Sequence, residues 1–103
     1  MNTLTKSNKM IVKQIRERME LFESFEQVYL FGSVLNFSTT YNDIDILIIY
    51  KEYSSEIGEQ FKIIAEELGK VCGSFIDLTA LSVEEEKDVV FLKKLKSHYL
   101  QMK

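Results

Sequence analysis

The sequence contains no proline and no tryptophan, and its 103 residues include one cysteine and one histidine. The lone cysteine, Cys72, excludes an internal disulfide framework and any zinc site built from several cysteines. It also fits a reducing compartment. With no proline and no tract rich in glycine or serine, nothing reads as a linker, a repeat or a domain boundary. Long apolar runs are missing too. The longest, Ile46 to Tyr50, falls far short of the roughly 20 residues that a membrane-spanning helix needs. The first 22 residues have no unbroken apolar core of the kind that marks a secretory signal. These absences predict a cytoplasmic protein with no membrane role. The length predicts a single domain, 1–103, with one modest core. A two-lobed cleft is out of reach at that size. An enclosed pocket would need walls from a partner or from a second copy, which leaves a homo-oligomer open.

A large excess of one charge is also lacking. The net charge is −3, with 13 basic and 16 acidic residues. Their distribution is uneven: residues 1–22 sum to +3, residues 23–92 to −10 and residues 93–103 to +4. A uniformly basic nucleic-acid binder is therefore disfavoured. An acidic middle between basic ends suits a metal-binding centre flanked by basic helices, although ordinary surface charge gives the same tally. Apolar residues make up 46% of the chain, including seven Phe and five Tyr, enough for a folded core.

Periodicity gives the elements. Ile11, Ile15, Met19 and Phe22 recur at helical spacing within residues 7–23. Residues 27–31 (QVYLF) are β-prone and stopped by Gly32. Residues 36–42 are polar and turn-like. Residues 43–50 (DIDILIIY) form the clearest strand, apolar on both faces except at its acidic start, as a central covered strand should be. Ile57, Phe61, Ile64 and Leu68 mark a helix over 54–71, with Gly69 and Gly73 as its stop. Residues 74–81 read as a third strand. Ser82 to Glu85 then match a capping box that opens a last helix, with Leu92, Leu95, Tyr99 and Met102 on one face. The expected class is α/β (α+β), a small mixed sheet of at least three strands.

Three carboxylates interrupt this apolar pattern. Asp43 and Asp45 share one face of the central strand, roughly 6–7 Å apart at Cα, and Asp77 lies in the next strand. Like charges at that spacing raise one another's pKa unless a cation intervenes. Mg²⁺ suits such a set, because it takes oxygen ligands and uses one or two carboxylates plus substrate phosphates. Two ions can clamp the attacking and leaving oxygens of a phosphoryl or nucleotidyl displacement. Upstream, Gly32-Ser33 follows a strand directly, where a glycine lets backbone approach a ligand and N–H groups can meet phosphate. A ten-residue step leads from Ser33 to Asp43.

Gly32-Ser33, Asp43-Ile44-Asp45 and Asp77, in that order on strand ends, resemble the signature of the DNA polymerase β-like nucleotidyltransferase superfamily, and within it the minimal nucleotidyltransferase (MNT) domains. The resemblance covers about residues 8–100. It implies a nucleotidyltransferase fold with helices packed mainly on one face of the sheet. It implies that Gly32 and Ser33 hold the phosphates of ATP or another nucleoside triphosphate. Asp43, Asp45 and Asp77 would be the catalytic and Mg²⁺-binding carboxylates, Asp77 helping to activate the acceptor hydroxyl. It further implies transfer of a nucleotide, AMP from ATP, to a hydroxyl of a partner protein, with a helical HEPN-type toxin as partner and this chain as antitoxin. Minimal members often carry Arg after the Gly-Ser. Here no base occurs from Phe31 to Tyr50, so cations for the phosphates would come from the basic ends. Two other readings stay open: a non-catalytic binding module that neutralises a partner by contact, or a nucleotidyltransferase acting on a small molecule or an RNA end. Tyr41 is a candidate for stacking on a base. His98 and the cluster Lys93, Lys94 and Lys96 are expected on a solvated helix, the lysines being candidates for phosphate contact.

Overall fold

The central strand predicted from residues 43–50 organises the fold. A computed structural model describes residues 3–35, 43–96 and 98–103, in the order α1 (Thr3–Arg16), β1 (Gln27–Phe31), β2 (Asp43–Tyr50), α2 (Ser55–Cys72), β3 (Phe75–Ser82), α3 (Val83–Val89), α4 (Phe91–Lys94) and β4 (Tyr99–Gln101). Two 3-10 turns, Met19–Phe22 and Gly32–Leu35, stand on either side of β1. The sheet order is β3-β2-β1-β4. β1 runs antiparallel to both β2 and β4, whereas β2 and β3 are parallel, so the sheet is mixed. The parallel pair is joined by α2, the crossover that parallel strands require. The turn-like stretch 36–42 lies outside the described residues.

Alternation along β2 divides the core in two. Ile44, Ile46 and Ile48 face α1 and α2, packing with Ile11, Ile15, Ile57, Ile64 and Leu68. Leu47 and Ile49 face the other way, with Tyr29, Phe91, Leu92 and Tyr99. The two long helices thus cover one face, and the short α3 and α4 cover part of the other. Ile64 and Leu68 are fully buried. Truncating either to Ala would cost about 2–5 kcal/mol.

Local chemistry sets the ends of the helices. The Ser54 side chain caps α2 by accepting from Ile57 N–H at 3.3 Å. Gly73 ends it in a left-handed conformation (φ 67°), with its N–H donating to the Gly69 carbonyl. The Ser82–Glu85 capping box forms as read, with Glu85 N–H to Ser82 Oγ at 3.0 Å and Ser82 N–H to Glu85 Oε1 at 2.8 Å. The first helix ends earlier than its periodicity suggests. It closes at Arg16, and Arg18 Nη1 donates to the Gln14 carbonyl at 3.1 Å.

The last predicted helix does not exist as one element. Val90 and Lys96 both adopt positive φ (45° and 50°), which ends α3 and turns the chain after α4. A fourth strand follows. Tyr99 joins the face of Tyr29, while Leu100 and Met102 join the opposite core. The spacing that mimicked a helical stripe is therefore shared between α4 with its C-cap, which carry Leu92 and Leu95, and the β4 segment, which carries Tyr99 and Met102. Tyr99 packs edge-on against Tyr29 with centroids 5.3 Å apart, a contact worth about 0.5–1.5 kcal/mol beyond its buried area. No helix among the described residues is long and apolar enough to cross a membrane.

Candidate active site

The register brings the candidate residues into one row. Phe31 pairs with Asp45 across β1 and β2, and Asp45 pairs with Asp77 across β2 and β3. Paired residues share a face, so Phe31, Asp45 and Asp77 stand side by side where the apolar face of the sheet ends. Asp43 lies two residues before Asp45 on the same face, opposite Phe75 of β3. Asp43 and Asp77 are exposed, whereas Asp45 is half-buried. The acidic start of β2 is thus the exposed end of this face. Further along, the same face carries the buried Leu47 and Ile49.

Asp45 is held above its ordinary carboxylate pKa. Burial is the largest cause, followed by the charge of Asp77, the charge of Asp43 and a hydrogen bond shared with Asp77. An electrostatic conflict among neighbouring carboxylates is what a hard divalent cation relieves. Among the described residues, no three His, Cys, Asp or Glu side chains gather closely enough to hold a metal by themselves. The Asp45–Asp77 pair, with Asp43 adjacent, fits an ion that uses one or two carboxylates and completes its shell with water and phosphate.

Gly32 is the second part of the site. It follows β1 with φ 82°, a conformation that costs glycine nothing and other residues strain. A Cβ built on it would collide with Oδ2 of Asp45. The glycine is therefore required twice, for its backbone and for the space that the carboxylate fills. Ser33 is exposed beside it. The 3-10 turn they begin is pinned from beneath by Asn8, whose Nδ2 donates to the Val34 carbonyl at 2.8 Å. Asn8 is 1% exposed, and its Oδ1 has no partner among the described residues. Reading the sequence missed this clamp. Its signal was a polar residue on the same helical stripe as Ile11 and Ile15.

The structure changes the setting of the basic C-terminal residues. His98 lies between α4 and β4, not on a helix, and remains exposed. Lys94 ends α4. Both line a cavity of about 800 Å³ together with Gly32, Ser33, Leu35 and Leu95. Lys93 and Lys96 are exposed outside that lining. A separate hollow of about 550 Å³ is lined by Tyr50, Tyr53, Phe61 and Ala80 among others, and neither cavity is lined by a carboxylate of the row. Cys72 packs at the end of α2, where burial pushes its thiol pKa up despite the opposing effect of Arg18, as suits an inert structural thiol. Tyr41 lies outside the described residues.

Residues 13–100 match the profile of the family described as Polymerase beta, Nucleotidyltransferase. Among curated proteins, none matches this chain. Solved structures do. A candidate nucleotidyltransferase from Sulfolobus solfataricus is 21% identical, with a TM-score of 0.60 over 98% of this chain and 86% of that one. The complex of a tri-AMPylated Shewanella oneidensis HEPN toxin with an MNT antitoxin contains a chain 20% identical, with a TM-score of 0.59 over 93% of this chain and 71% of that one. A mutant of the toxin–antitoxin pair MntA–HpeT gives 18% identity and a TM-score of 0.53, covering 100% of this chain and 73% of that one. At these identities the likeness is one of fold.

Proposed function

This chain belongs to the polymerase β nucleotidyltransferase family, and from that premise we propose that it transfers a nucleotide, AMP from ATP, to a hydroxyl of a partner protein. The observation that carries the reading is the Phe31–Asp45–Asp77 row with Gly32 backed onto Asp45. In this reading Asp43 and Asp45 would hold Mg²⁺, with Asp77 beside Asp45 on the next strand. Bound there, the cation neutralises the carboxylates and the charge that develops on the phosphate. Gly32 and Ser33 hold the terminal phosphates through backbone N–H and hydroxyl groups. Asp77 takes the proton of the acceptor hydroxyl. The acceptor oxygen bonds to the α-phosphorus, the bond from that phosphorus to the bridging oxygen breaks, and pyrophosphate leaves.

The acceptor approaches from the β3 side in this account, because the cavity on the β1 side belongs to the phosphates. Phe75 supports that direction. It stands opposite Asp43, two residues before Asp77, and is 68% exposed. An exposed aromatic beside catalytic carboxylates suits an anchor for an incoming partner. A HEPN-type toxin is the proposed partner and this domain its cytoplasmic antitoxin. Likeness to chains from toxin–antitoxin complexes supports that context.

Calorimetric titration with ATP and Mg²⁺ tests the metal assignment. The wild type should bind and the Asp43→Ala/Asp45→Ala variant should not; equal binding by both would refute it. A second reading, a module that neutralises its partner by contact alone, is favoured by one observation: no base follows Gly32-Ser33 anywhere up to Tyr50. Tight partner binding with no nucleotide adduct after incubation with ATP would support that module.

A further inference from the structure

The phosphate cavity lacks a base from its own loop, since none occurs between Phe31 and Tyr50. The fold supplies basic and hydrogen-bonding groups from 60 or more residues later in the chain. The segment from Phe91 to Tyr99 is fastened to Phe31 at both ends. The Phe91 ring packs edge-on against the Phe31 ring, with centroids 5.4 Å apart, and Tyr99 pairs with Phe31 in the sheet. Phe31 is the residue directly before Gly32. Between those two attachments, Lys94 and His98 line the cavity with Gly32 and Ser33.

Further contacts keep this arrangement in place. Leu92 N–H donates to Glu86 Oε2 at 3.0 Å, tying α4 to α3. His98 N–H donates to the Leu95 carbonyl at 2.9 Å. Val90 and Lys96 hold positive φ at the two ends of the segment. For a β-branched residue such as Val90 this is a strained conformation, of a kind that persists only when its surroundings fix it and that concentrates at functional sites. A continuous helix would avoid the strain, but it would carry Lys94 and His98 away from the turn.

We infer that Lys94 and His98 form the second wall of a triphosphate subsite, bringing an ammonium and an imidazole N–H to phosphate oxygens held on their other side by Gly32 and Ser33. The inference rests on the nucleotidyltransferase reading and deepens it. Lys94 supplies the positive charge that the loop lacks. These four residues would contact the polyphosphate, so nucleoside triphosphates are held there through their tails.

Titration of the full chain with ATP, AMP and inorganic tripolyphosphate, each with Mg²⁺, tests this. Lys94→Ala and His98→Ala should each weaken ATP and tripolyphosphate by about tenfold, the loss of one charge-assisted or hydrogen-bonded contact. AMP affinity should be unchanged. Lys93→Ala, which removes the same charge one residue outside the cavity, should leave all three as in the wild type. If Lys94→Ala and His98→Ala bind ATP like the wild type, the inference falls while the nucleotidyltransferase reading stands. Equal weakening by Lys93→Ala also overturns it, because general charge would then explain the effect. Failure of the wild type to bind ATP would overturn both. Circular dichroism and thermal melting establish that each variant is folded. If an alanine variant is not, Lys94→Gln and His98→Gln take its place.

Discussion

The α-carbon of Gly32 faces the carboxylate of Asp45 so closely that a methyl group on it would overlap Oδ2. The turn and the carboxylate are thus one construction, although twelve residues of sequence lie between them. Gly32→Ala should destabilise the chain by about 1–3 kcal/mol from the left-handed backbone alone. It should also displace Asp45 and abolish the binding of ATP with Mg²⁺. A urea unfolding curve reads the first effect, and calorimetry with ATP and Mg²⁺ reads the second. Unchanged stability and unchanged binding would mean that the two residues are not in contact.

Asp45 predicts a pH dependence of opposite sign to that of most carboxylates. Its pKa in the folded chain is raised, first by burial and then by Asp77 and Asp43. Folding therefore disfavours its charged form. Stability contributed at low pH is lost as pH rises from the ordinary aspartate value through the raised one. Without divalent cation, Asp45→Asn should melt above the wild type at neutral pH and converge with it in acid. Asp45 is half-exposed, so solvent screening keeps the effect below about 1 kcal/mol, a few degrees in melting temperature. Added Mg²⁺ should raise the melting temperature of the wild type more than that of the variant.

Glu85 predicts the reverse. Its pKa is lowered, above all by a hydrogen bond from the Ser82 backbone; burial opposes this, and hydrogen bonds from the Ser82 side chain and the Tyr50 hydroxyl add to the lowering. Its stabilisation is present above the ordinary glutamate value and lost as pH falls through the lowered one. Glu85→Gln should flatten that acid limb of a melting-temperature profile. Ser82→Ala, which removes the N-cap acceptor itself, should cost about 1 kcal/mol.

Asn8→Ala should loosen the Gly-Ser turn from beneath. It removes the donor to the Val34 carbonyl and leaves a buried acceptor unpaired, at a cost of about 1–3 kcal/mol. Thermal melting should fall, and ATP affinity should fall with it, because the turn that holds the phosphates is no longer pinned. Loss of stability with full ATP affinity would limit Asn8 to a structural role.

Where a residue's neighbours in sequence are also its neighbours in space, the sequence was readable. The strand Asp43–Tyr50 announced both its burial and its acidic end through alternation alone. The capping box at Ser82 and the stop at Gly73 are local devices, and both formed as read. Grouping Asp43, Asp45 and Asp77 needed only the strand faces and a parallel partner. The C-terminal segment was not readable in this way. Leu92, Leu95, Tyr99 and Met102 satisfy a helical period, and nothing local opposes a helix there. The break at Val90 and Lys96 arises from distant contacts, Phe91 on Phe31 and Tyr99 beside Tyr29. Tertiary packing overrode the local pattern, and it carried His98 and Lys94 to the cavity beside Gly32 and Ser33. The clamp by Asn8 was hidden for the same reason, since its partner Val34 lies 26 residues away.

The most direct measurement is the intact mass of the proposed HEPN-type partner after incubation with wild type, ATP and Mg²⁺. The account predicts one or more adenylyl groups added by the wild type. It predicts none from Asp77→Asn or from Asp43→Ala/Asp45→Ala, although each variant should still bind the partner. A partner bound tightly by the wild type but left unmodified, or modified equally by Asp77→Asn, would contradict it.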